Sequence, residues 1–196
     1  MDKKPDTQSK KETDQWNPDF TPSFTPQEVL AMGSFEGKYV NGIKEVPQSW
    51  KVKGKVLTKS DEPDPLVNYY GVKARMPLSH WKEKKWIRTD KEGWFGWYIR
   101  YFLGRRLGAE DDWQVGRWKS FVARHNAQVQ SKCKAGDKSC NTRQRQALLQ
   151  FAWDSDTAFS EDQKKKNLAR ITKLARPAAS VATESFGADP SWLKWI

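Results

Sequence analysis

The residues best suited to chemistry in this 196-residue chain are arginines interleaved with tryptophans. Arg100, Arg105, Arg106, Arg117, Lys119, Arg124, Arg143 and Arg145 cluster in the centre of the sequence. A guanidinium grips phosphate through two parallel hydrogen bonds and also lies flat on an aromatic ring, so these side chains predict a phosphate-contacting face. The same chemistry allows an internal use, with arginines stacked on tryptophans or paired with Glu110, Asp111 and Asp112. Both readings stand for any one of them. Residues 81–150 nevertheless hold 16 Lys and Arg against 7 Asp and Glu, so pairing within that stretch leaves nine positive charges over.

The tryptophans divide in the same way. At helical spacing they read as core, whereas an exposed indole offers a stacking platform for an unpaired base. Trp113, outside the stripe through Val115 and Trp118, and Trp86, beside Lys84 and Lys85, are the expected exposed pair. Cys133 and Cys140 have no second cysteine pair and the wrong spacing for a zinc knuckle. They read as free thiols in a reducing compartment, with a disulfide across the Lys134–Ser139 loop as the alternative. Glu110, Asp111 and Asp112 with His125 are the only candidates for a metal-assisted hydrolytic site, yet acids at a helix start are already explained by the helix dipole. No phosphate-cradling glycine loop, nucleophile elbow or HExxH occurs, and no cofactor or metal is expected.

Composition bounds the partner. Thirty-five Lys and Arg against 24 Asp and Glu give a net charge of +11, a field that draws polyanions. Nucleic acid, DNA or RNA, is the expected partner, with a larger protein assembly as the second. No stretch approaches the roughly 20 apolar residues of a membrane span, and Met1–Asp14 lacks an apolar signal core. No membrane contact and an intracellular place, free or inside a virus or ribonucleoprotein particle, are therefore expected. Eleven Trp, nine Phe and five Tyr supply a core built from aromatics.

The elements that must position these residues are mainly helical. Residues 1–23 read as a disordered arm, with Trp16 and Phe20 as exceptions that dock on the domain or, the commoner case for two aromatics in a tail, make transient contacts. Thr25-Pro26-Gln27-Glu28 has the form of a helix start. Gly37–Val40, Val46–Trp50 and Val52–Leu57 read as short strands or extended wrapping segments. Pro77 opens a helix through Trp81 to Trp86, and Gly93–Leu107 is a second, apolar over most of its circumference and closed by Gly108. The next runs from Glu110-Asp111-Asp112 to about Gln130, burying Val115, Trp118, Val122 and Val129, with Arg117, Arg124 and Gln128 on another side. Thr142–Asp154 follows, Ala147, Leu148, Phe151 and Ala152 inward and Arg143 and Arg145 outward. Residues 156–196 read as an attachment: a helix capped by Ser160 and Gln163, stopped by Pro177, then a docking peptide with Trp192, Leu193, Trp195 and Ile196.

The run Gly93-Trp94-Phe95-Gly96-Trp97-Tyr98-Ile99-Arg100-Tyr101-Phe102-Leu103-Gly104-Arg105-Arg106, followed by Asp111-Asp112, Gln114 and Arg117-Trp118, resembles a widespread uncharacterised family of small Trp/Arg-rich basic proteins of microbes, algae and viruses. Arg143-Gln144-Arg145-Gln146-Ala147-Leu148-Leu149-Gln150-Phe151-Ala152-Trp153-Asp154 is similar to its second block, with Phe151 where the pattern implies Trp. The resemblance covers about residues 30–155 and implies domain limits, not an activity. The expectation is thus a mainly α domain at residues 24–155 between an arm and a docking extension. Its expected role is non-catalytic nucleic-acid binding or a structural place in a particle. The alternatives are an assembly subunit docking through its termini, or an enzyme with an Arg/Asp pocket.

Overall fold

A computed structural model describes residues 15–74, 78–83, 85 and 87–178. The mainly α expectation holds: six α-helices occur among the described residues, and no strand. They are α1 (Pro26–Met32), α2 (Leu78–Glu83), α3 (Trp94–Phe102), α4 (Ala109–Lys132), α5 (Thr142–Gln150) and α6 (Glu161–Leu174). Helix α1 begins as its sequence dictates. The Thr25 hydroxyl accepts from Glu28 N–H and the Glu28 carboxylate accepts from Thr25 N–H, a complete capping box.

Helix α3 is the centre of the core, with every residue but Arg100 buried. It stops at Phe102 rather than near Leu107, because Gly104 turns left-handed at φ +102°. Gly104 N–H then bonds to Tyr101 C=O and Arg105 N–H to Arg100 C=O, a Schellman closure that satisfies two terminal carbonyls. Helix α4 buries Val115, Trp118, Val122 and Val129 as its periodicity predicts. Helix α5 packs against α4 but ends at Gln150, so Phe151, Ala152 and Trp153 enter the core from a turn in which Ala152 has φ +55°.

The segment from Phe35 to Val67 wraps this core through four 3₁₀ turns rather than strands. Its buried residues Val40, Ile43, Val46 and Trp50 recur every three or four positions, which suits 3₁₀ turns and not the two-residue period of a strand. Two glutamines of α5 fasten the wrap: Gln146 accepts from Tyr70 N–H and donates to Gly33 C=O, and Gln150 accepts from Phe35 N–H. Gly33 is required where it stands. At φ +103° a Cβ would lie 2.0 Å from Val67 O.

Two expectations about the ends are corrected. Phe20 is not a transient contact but is 0% exposed, ringed edge-on by Trp94, Tyr98, Tyr101 and Trp118. Trp16 packs beside it, so the ordered domain begins before residue 24. Helix α6 likewise belongs to the core: Ile171 is fully buried, and buried Asn167 donates to Thr21 C=O. A helix with one apolar stripe and a polar side chain matched to a facing carbonyl has the means to close a core, and α6 closes this one over the entering chain.

Candidate functional site

A groove with a cavity of about 1170 Å³ runs between α4 and α5, floored by the start of α3 and flanked by Phe35, Tyr39 and Trp81. Helix α4 builds its wall because a 24-residue helix carries two working faces. The first is the buried stripe; the second presents Trp113, Arg117, Phe121, Arg124, His125 and Gln128 at helical spacing. Helix α5 contributes Arg143, Gln144 and Ala147, with Asn141 just before it.

The floor is a stack of rings. Trp94 lies on Phe151 at 4.8 Å and 15°, Phe151 on Phe121 at 3.8 Å and 12°, and Phe121 on His125 at 4.1 Å and 36°. His125 is fixed by Gln144, whose Nε2 lies 2.7 Å from Nδ1 and 2.6 Å from Gln128 Oε1. An amide that donates to Nδ1 places the imidazole proton on Nε2. Burial, reinforced by neighbouring Arg124, lowers the His125 pKa from its usual value, so the ring is neutral at pH 7. On the other side Arg117 lies over Trp113 at 4.8 Å and Trp81 at 5.5 Å, and Arg88 over Trp113 at 4.6 Å. Burial pushes the Arg117 pKa down to about 10, which still leaves it charged at neutral pH.

The expected arginines separate into two sets. Arg124 and Arg143 are exposed on the groove, and neither guanidinium has a hydrogen-bond or ion-pair partner among the described residues. Arg117 joins them as a groove residue. Trp113 is half-buried between Arg88 and Arg117 rather than fully exposed.

The others face inward or away from the groove. Arg100 donates to Asp90 at 2.5 Å, Glu92 at 3.0 Å and Glu45 at 2.8 Å. Burial works against its charge, yet these carboxylates hold its pKa above the ordinary value. Arg105 makes a two-pronged pair with the same Asp90. Arg106 caps Tyr101 C=O at 2.7 Å and lies over the Tyr101 ring at 4.0 Å. Lys119 pairs with Asp19 at the surface. Arg145, expected to face outward, is 2% exposed. It donates to Cys140 C=O, Asp137 C=O, the Ser155 hydroxyl and Asp156, gathering the loop after α4 onto the core. Trp86, Trp192, Leu193, Trp195, Ile196 and the helix-opening Pro77 lie outside the described residues.

The acidic cluster has partners of its own, and arginines matched to it from sequence also act on it: Arg106 and Arg105 on Asp111, and Arg117 on Glu110. Glu110 meets Arg88 and Gln114, and Asp112 accepts from Asn17. Asp111 accepts from Trp97 Nε1–H and Leu107 N–H, and burial raises its pKa. None of these contacts brings in His125, and no group of three potential metal ligands occurs among the described residues. Cys133 and Cys140 form a disulfide with Cα atoms 5.7 Å apart, in place of the free thiols favoured from sequence. The intervening loop is short enough to bring the sulfurs together and is pinned by Arg145. No helix among the described residues is long and apolar enough to cross a membrane.

Sequence reasoning missed Phe121, His125, Gln144, Phe35 and Tyr39 as groove residues. A second stripe on α4, read through Trp113, Arg117, Phe121 and Arg124, carried the signal for the first two. Nothing local marked Phe35 and Tyr39, which arrive through the wrap.

No protein-family model, no curated protein and no solved structure matches the chain.

Proposed function

We propose that this protein binds nucleic acid without catalysing a reaction on it, and that the α4–α5 groove is where it does so. The observation that carries the reading is Arg124 and Arg143 on the groove, without carboxylate partners among the described residues, beside a charged Arg117 held between two indoles. A surface guanidinium with no internal partner is available to phosphate, and each phosphate contact releases counterions from the polyanion. Glu92 is the one acid among the described lining residues, and it is paired with Arg100. The groove therefore presents a positive rim, in keeping with a chain of net charge +11.

The test is the salt dependence of oligonucleotide affinity. Affinity is expected to fall steeply as salt rises, and Arg124→Ala with Arg143→Ala to reduce the slope by about 2, roughly one unit per lost phosphate contact. Binding that ignores salt, or a slope unchanged in the double variant, overturns the assignment.

A further inference from the structure

Resting on that reading, we propose that the groove takes unpaired nucleotides, their bases stacking on the aromatic floor while phosphates meet the arginine rim, so that the protein distinguishes single strands from duplex. The rim alone would suit either form of nucleic acid. The lining is what separates them.

The ring stack grades from core to cavity: Trp94 is 1% exposed, Phe151 is buried, and Phe121 and His125 are half-buried where they line the groove. Its outermost ring, His125, lies tilted by 36° on Phe121, which Phe151 backs in turn, and is further fixed by Gln144. A surface of this kind recognises the flat face of another ring. In a duplex each base face is covered by its neighbours, and only base edges are offered in the grooves. Rings set inside a concavity have nothing to meet there. An unpaired base offers its face, and its edge can be met by amides, which donate and accept equally well. Gln128, Gln144 and Asn141 line the same cavity.

Size and charge agree. The cavity of about 1170 Å³ exceeds the roughly 300–1,000 Å³ of a pocket for one small ligand, which leaves room for more than one nucleotide. A neutral His125 does not compete with Arg124 and Arg143 for phosphate, leaving the ring as a stacking surface and an Nε2–H donor. The wall opposite, where Arg117 lies over Trp81 and Trp113, supplies flat cationic and aromatic surface as well.

The experiment measures affinity of the full chain, by fluorescence anisotropy at fixed salt, for a labelled single strand of about 12 nucleotides, for the same strand annealed to its complement, and with a nucleoside monophosphate as competitor. The single strand is expected to bind about tenfold or more tightly than the duplex. His125→Ala, at the exposed end of the stack, and Phe121→Leu, which keeps the apolar volume, are expected to erase that preference while leaving the salt slope in place. Thermal melting verifies that each variant is folded, and His125→Ala carries the test if Phe121→Leu is not. Displacement of the strand by the monophosphate identifies free nucleotides as a source of the same chemistry; failure to displace it identifies the strand. Equal or tighter duplex binding, or a preference untouched in both variants, overturns this proposal and leaves nucleic-acid binding standing. Absence of binding to every probe overturns both.

Discussion

Arg100 and Arg143 both come from the basic central stretch of the sequence, and they end in opposite circumstances. Arg100, with Arg105, converges on Asp90, and Glu45 and Glu92 complete a closed ion cluster beside α3. Arg143, with Arg124, stands on a groove with no carboxylate partner among the described residues. The difference lies in the acids, not the arginines. Asp90 is buried and two guanidiniums meet it, whereas no acid among the described residues pairs with Arg124 or Arg143. An arginine in the first set is part of what holds the fold. One in the second is dispensable to it.

That contrast can be broken by substitution. Asp90→Asn should give the largest effect, a loss of about 3 kcal/mol in urea unfolding, because it removes the carboxylate that Arg105 pairs with and one of the three that hold Arg100. A near-neutral result would mean that Arg100 and Arg105 are not fixed by this cluster. Arg145→Lys should cost about 2 kcal/mol, since one ammonium cannot reproduce the fork that reaches Cys140, Asp137, Ser155 and Asp156. The double variant Arg124→Ala with Arg143→Ala should change stability by less than about 0.5 kcal/mol while flattening the salt dependence of binding. A large loss of stability would erase the distinction between the two sets.

The smallest effect concerns pH. His125 has its pKa lowered in the folded protein, so as pH falls below the ordinary value of 6.5 the unfolded chain takes up a proton before the native one. Stability should therefore decline slightly from pH 6.5 downward and show no such contribution above it. His125→Gln should remove that part of the slope in unfolding experiments across pH 5 to 8, roughly the span over which histidine charge matters.

Much of the scaffold was legible in sequence because it rests on local rules. The capping box at Thr25, the buried stripe of α4 and the all-round burial of α3 follow from spacing alone. The end of α3 did not, since Gly104 and Gly108 are equally good stop signals and only the Schellman hydrogen bonds choose between them. The groove was half legible. Arg117, Arg124 and Gln128 could be placed together on one side of α4, but not told apart in role from Arg100 or Arg145. Their partners come from afar: Glu45 lies 55 positions from Arg100. Charge counted over a window records how many cations exceed the acids. It does not record which acid the fold delivers to which cation. Trp16 and Phe20 stood out in the arm as candidates for docking, but nothing local decided between a fixed and a transient contact; Phe20 is fixed by rings that lie far along the chain.

Phe20 also sets the order in which the molecule can be completed. Apart from neighbouring Trp16, its ring contacts are with residues of α3 and α4, roughly 75 to 100 positions later in the chain, so loop closure must precede any reward from that packing. During synthesis the entering segment waits, unsatisfied, until α4 has emerged, and α6, which donates to Thr21 C=O, comes later still. The last closure of the core thus depends on both ends of the ordered chain. A fragment trimmed to the central helices should then behave as a compact but loosely packed intermediate rather than a smaller version of the native domain.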